Sequence, residues 1–211
     1  MVFMDDSKRA AKLAKDYYVD DVGLHLNFSE EFTDPICPEP LKEHHRQIVR
    51  FLRRNKYAQL LYNPFLRKAF DCSYHAQMDE FVRLFERSPS HMDGHHHMHL
   101  CANFLLSRPM PAGTRVRRNF SFWPGEKSPL NRAYRALVDR WLARKYQLTD
   151  YFFDLTHCIE QKKLDRVAAL ARSSNVELMT HPIANGEEEY LMSNEFCGVV
   201  QRLELGSYAL V

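Results

Sequence analysis

Between Ser90 and His99 the chain reads Ser90-His91-Met92-Asp93-Gly94-His95-His96-His97-Met98-His99. The residues up to Gly94 read as a short strand that runs into a cluster of histidines. Alternation along an extended chain sets His91, Asp93, His95, His97 and His99 on one side. So many imidazoles beside a carboxylate are costly to bury unpaired, so the stretch reads either as a built site or as a solvated His-rich loop. Its interior position and its interruptions exclude an affinity tag.

Two more histidines lie at candidate strand ends. In Val22-Gly23-Leu24-His25-Leu26-Asn27-Phe28, alternation puts Val22, Leu24, Leu26 and Phe28 on one face and Gly23, His25 and Asn27 on the other. The apolar face suits a layer of helices, and His25 then points into a barrel or cleft. In Val176-Glu177-Leu178-Met179-Thr180-His181, Glu177, Met179 and His181 share a side, and Pro182 stops the strand. Enzymes with parallel α/β sheets build their sites where strands end and βα-loops begin. Taken singly, His25 reads more readily as a hydrogen-bonded core histidine than as a ligand, and His181 equally well as a buried strand end.

Around these stretches short apolar runs alternate with segments of helical period, the pattern of an α/β chain with parallel strands. Helices are predicted over Leu41–Asn55, Phe65–Arg87, Leu130–Leu142 and Ile159–Arg172, and further strands over Tyr151–Leu155 and Ser207–Val211. Asp5-Asp6-Ser7 reads as a helix N-cap. The segment Ser29–Pro40 reads as a long functional loop.

The chain of 211 residues, 45% hydrophobic and 27% charged, is read as one domain. Its formal charge of +2 sets up no field for nucleic acid or an anionic membrane, and Arg115, Arg117 and Arg118 form only a short basic run. No apolar run reaches the roughly 20 residues of a membrane span, and the first residues do not form a signal peptide. Cys37, Cys72, Cys101, Cys158 and Cys197 are widely spaced and odd in number, which predicts reduced thiols and a cytoplasmic location.

Gly23-Leu24-His25-Leu26-Asn27, the stretch Ser90–His99 and Met179-Thr180-His181-Pro182 together resemble the three motifs of the YdjC-like carbohydrate deacetylases, in the family's order and at compatible spacing. Gln77-Met78-Asp79-Glu80-Phe81 is similar to the helix that leads into the histidine motif. The resemblance implies a distorted (β/α) TIM-like barrel and one divalent metal ion held by one Asp and two His. Mg²⁺ is the family's metal, with Zn²⁺ or another transition metal as the alternative. Carried over, the histidine ligands are His25 and His95, and His181 is the acid that protonates the departing amine. Asp93 is the natural partner to fix an imidazole tautomer, while His97 and Asn27 are outer-shell or substrate-binding candidates.

The sequence also departs from the family. The strand that supplies the Asp ligand, ending in an NADDFG motif, has no counterpart here, because Met1–Met4 aligns with the family's second strand. The first βα unit is therefore expected to be missing and the domain N-terminally incomplete, which leaves the metal site only two imidazoles and makes the chain by itself a poor enzyme. The alternative is that another acid, for example Glu30 or Asp93, replaces the lost ligand. Ile183 stands where the family has Gly, and His75 where many members carry Glu. The expected activity is removal of an acetyl group from an N-acetylated sugar in an oligosaccharide or glycolipid, with no nucleic-acid partner and a homo-oligomer left open. The rival readings are a catalytically impaired member of the family and a His-rich metal-binding protein.

Overall fold

Val22 to Phe28 alternates in hydropathy along its whole length, yet strand β1, Leu24–Leu26, ends before Asn27. The cause is a side chain from far along the sequence. Gln77, wholly buried, accepts from the Asn27 N–H at 2.7 Å and donates to the Asn27 carbonyl at 3.0 Å, taking both groups a neighbouring strand would use. Asn27 then turns the chain, because its Oδ1 accepts from the N–H groups of Ser29 and Glu30 at 3.2 and 2.9 Å.

The computed structural model describes residues 1–183 and 186–208, and it divides into two units, Met1–Val116 and Arg117–Val211. It is mixed α/β. The first unit holds helices α1 (Ser7–Asp16), α2 (Glu39–Arg53), α3 (Arg67–Phe85) and α4 (Ala102–Ser107), with β1 paired in parallel to β2 (Met92–Gly94). Its core forms on the apolar face that alternation predicts: Leu24, Leu26 and Phe28 are buried, and the Phe28 ring lies 5.1 Å from Phe70 and 5.2 Å from Phe104.

The second unit holds α5 (Pro129–Leu142), β3 (Tyr151–Asp154), α6 (Leu155–Glu160), α7 (Leu164–Ala171), β4 (Val176–Met179), α8 (Glu187–Leu191) and α9 (Asn194–Val200). Strands β3 and β4 are parallel, and Phe153, Cys158 and Val167 form the centre of a small core, with Trp123 stacked 4.7 Å from Phe153. Beyond these pairs of strands, the described residues show isolated parallel bridges at Met92–Val116 and Pro124–Lys127. No helix among the described residues is long and apolar enough to cross a membrane.

Several sequence expectations need correction. Met1–Met4 is not a strand; Val2 and Phe3 are buried, and the Phe3 carbonyl accepts from Thr33 and Asp34. Helix α1 begins at Ser7 without a side-chain cap from Asp6, since the Ser7 hydroxyl bonds Met4 instead. The single helix expected over Ile159–Arg172 is two. Lys162 adopts a left-handed φ of 51°, and Lys163 N–H reaches back to the Cys158 carbonyl at 2.8 Å, a helix-ending arrangement that no periodicity count detects. The strand expected at Ser207–Val211 falls, from residue 209, outside the described residues.

Candidate functional site

Register brings the first pair of site residues together. His25 and Asp93 face one another across β1 and β2, and His25 Nδ1 lies 2.8 Å from Asp93 Oδ1. A carboxylate only accepts, so Nδ1 carries a proton, and in the neutral form of the ring the lone pair is on Nε2. Gly23 makes the approach possible: a Cβ there would lie 2.4 Å from the His91 ring.

The extended histidine ladder stops at Gly94. His95–Leu100 winds into 3-10 turns, in which His96 and His97 take left-handed φ values of 50° and 57°. The turn is so tight that a Cβ on Gly94 would stand 2.8 Å from the His99 backbone nitrogen. The one-sided arrangement expected for an extended chain is thus broken. His95 meets His25 edge-on with ring centroids 5.6 Å apart, and His96 leans on His95 at 4.0 Å. His97 instead has its ring 6.3 Å from that of His99, which is buried. Burial, then the neighbouring His96 and His25, hold His95 below the ordinary imidazole value, which favours the neutral, ligating form.

Glu30 comes to the same place from the other side. One ligand atom from each of Glu30, His95 and His96 lies within 4.8 Å of the others, a spacing that suits one cation; His25 is outside this trio. The loop carrying Glu30 is fixed by its backbone. Asn27 accepts from its N–H and donates to its carbonyl at 2.9 Å each, and His45 Nε2 donates to that carbonyl at 2.7 Å. Asn27, fully buried, therefore shapes the loop. His45 is stacked on Phe32 at 3.7 Å, and burial pushes its pKa down to about 4, partly offset by the Glu30 carbonyl. Sequence reasoning missed this residue, although His45 falls in helical step with Ile48, Val49 and Leu52 on the buried face of α2. A hollow of about 300 Å³ opens beside the trio, lined by Ser29, Glu30, Arg53, Lys56, His96 and Met98.

In the second unit His181 stands exposed, two residues past the end of β4. A ring nitrogen of His181 and one carboxylate oxygen each of Asp154 and Glu187 lie within 4.8 Å of one another. Neither acid was singled out in the sequence. Asp154 is the last residue of β3 and pairs in register with Met179, and Glu187 opens α8 and is only 1% exposed.

The family described as YdjC-like protein matches residues 1–202. The chain belongs to the YdjC-like family. A relative, the chitooligosaccharide deacetylase of Enterobacter sp. (strain 638), is 26% identical over 187 residues, which cover 86% of this chain and 68% of that protein. At two points where this YdjC-like chain departs from the family's motifs, the residues face outward. Ile183 is 97% exposed, and His75 on α3 pairs with Asp71 at 3.5 Å on the surface.

Proposed function

We propose that this YdjC-like chain is a metal-dependent carbohydrate deacetylase that hydrolyses the acetamide of an N-acetylated amino sugar. The observation that carries the reading is the His25–Asp93 hydrogen bond beside the His95 ring, which turns Nδ1 of His25 to Asp93 and leaves Nε2 as the atom open to a ligand. Family membership supports it, as does a relative bearing the name chitooligosaccharide deacetylase. On that support the substrate is an oligomer of N-acetylglucosamine or a related glycolipid. The distorted (β/α) barrel belongs to the same proposal: both pairs of strands are parallel and are followed by helices, the repeat from which such barrels are built.

His25 and His95 are the proposed ligands, and Glu30 is the carboxylate within reach of His95 to complete the set. Two imidazoles and a carboxylate leave positions open for water and a substrate carbonyl. A divalent ion bound there, Mg²⁺ or a transition metal, supplies Lewis acidity, polarising the acetamide and lowering the pKa of water. Asp93 holds the His25 tautomer that ligates through Nε2. Arg53 and Lys56 offer donors to sugar hydroxyls in the adjoining hollow. His181 delivers the proton that the departing amine requires.

The test is acetate release from N-acetylglucosamine oligomers by the purified chain, before and after chelation and on adding back Mg²⁺ or Zn²⁺. The expected outcome is release that chelation abolishes and metal restores. Release indifferent to chelation would remove the metal from the account. Tight metal binding with no acetate would leave a binding protein.

A further inference from the structure

We infer that Asp154 and Glu187 are positioning residues for His181, an assignment that rests on the role of His181 as the acid. Strands β3 and β4 end side by side, with Asp154 opposite Met179, so the residues that follow are delivered to one edge. Among the described residues His181 pairs with no strand, and Pro182 after it is followed by the almost fully exposed Ile183. Glu187 supplies the tie. Its Oε2 accepts from the His181 main-chain N–H, and its Oε1 accepts from the Thr156 hydroxyl.

Burial makes this tie unusual. Glu187 is 1% exposed, a depth at which a carboxylate needs charged or multiple hydrogen-bonding partners. The two donors it has are neutral. The nearby group that becomes cationic on protonation is the His181 ring, whose nitrogen is within 4.8 Å of both Glu187 and Asp154. Asp154 is itself held, because its Oδ1 caps α6 by accepting from His157 N–H at 2.8 Å, which leaves Oδ2 for the ring. Glu187 thus fixes the backbone from which the imidazole projects, and Asp154 and Glu187 fix the direction of its N–H.

The step served is cleavage of the C–N bond. Water oxygen bonds to the acetyl carbon and its proton passes to solvent. The C–N bond breaks, its electron pair goes to nitrogen, and nitrogen takes the proton carried by the His181 ring. Solvent returns a proton to the ring, the new carboxylic acid gives the second water proton to the amine, and acetate and the protonated amine leave.

The experiment uses Glu187→Ala, Glu187→Gln, Asp154→Asn and His181→Ala in the whole chain, with two substrates. One is an N-acetylglucosamine oligomer, whose amine must be protonated to leave. The other is 4-nitrophenyl acetate, whose phenolate leaves without a proton. Loss of the acid itself slows amide turnover by on the order of 10²–10⁴-fold. Glu187→Ala and Asp154→Asn are expected to lower kcat for the amide by at least about tenfold but less than that limit, with KM and bound metal unchanged. Ester turnover should stay within about twofold, and Glu187→Gln should recover most of the amide kcat because it keeps an acceptor for the main-chain N–H. Amide and ester rates falling in parallel would show a merely structural role and overturn the inference. So would unaltered amide kcat in the Glu187 and Asp154 variants while His181→Ala is slow. If Glu187→Ala does not fold, Asp154→Asn, which keeps the α6 cap acceptor, decides. Full amide turnover by His181→Ala, or no acetate from the unaltered chain, would instead sink the acid assignment and this inference with it.

Discussion

At the end of β1 and β2 the chain gathers the imidazoles of His25, His95 and His96 with Asp93 and Glu30 around them; at the end of β3 and β4 it gathers His181 with Asp154 and Glu187. The scaffold is the same in both units, a pair of parallel strands whose C-terminal ends deliver side chains to one edge. What differs is the ratio of imidazole to carboxylate. Burial first, and then the crowding of His96 and His25, disfavour protonation of His95, and neutral rings donate lone pairs to a cation. In the second cluster a single imidazole stands within 4.8 Å of two carboxylates, the setting on which the proposed acid role of His181 draws. On the proposed reading, neighbours direct the same residue type toward metal binding in one unit and toward proton transfer in the other.

The largest effect that would sharpen this contrast is a pH dependence carried by His45 in the first unit. His45 supports the Glu30 loop as a neutral ring, with its pKa at about 4 against an ordinary 6.5. As pH falls below the ordinary value the unfolded chain takes up the proton first, so the stability present above that value is lost on the way to the folded pKa. Unfolding free energy is expected to drop by about 3 kcal/mol between pH 7 and pH 4 from this residue, and His45→Gln should flatten that part of the curve. Urea titrations at several pH values measure it, and identical slopes in the two proteins would remove His45 from the account.

A smaller effect addresses Asp93. If its task is to orient His25, Asp93→Ala should weaken metal affinity by roughly 10–100-fold without preventing binding. Complete loss of the ion would make Asp93 itself a ligand, and the contrast between the two clusters would need redrawing.

Much of this was legible in the sequence. The elements that exist were found where one apolar face repeats, as in α2, α3 and α5, or where alternation is clean, as at Leu24 to Phe28. The motifs around His25, the histidine run and His181 pointed to the family that matches nearly the whole chain. Element ends were less readable, because they are set by distant partners. Strand β1 stops where a glutamine 50 residues later captures the backbone of Asn27. The histidine run turns at two left-handed residues, so a periodicity of two could not say that His96, rather than His97, comes to His95. Glu187 carries no motif of its own and becomes notable only because the fold buries it.

The most direct test measures equilibrium metal binding, by titration with Mg²⁺ and Zn²⁺ and by elemental analysis, for the unaltered chain, His25→Ala, His95→Ala and His181→Ala. One ion per chain is expected in the unaltered protein and in His181→Ala, whereas His25→Ala and His95→Ala should lose affinity by more than the roughly 10–100-fold that removal of an outer partner causes. Equal loss in all three variants, or undiminished binding without His25 and His95, would show that the two clusters do not divide metal binding and proton transfer between them.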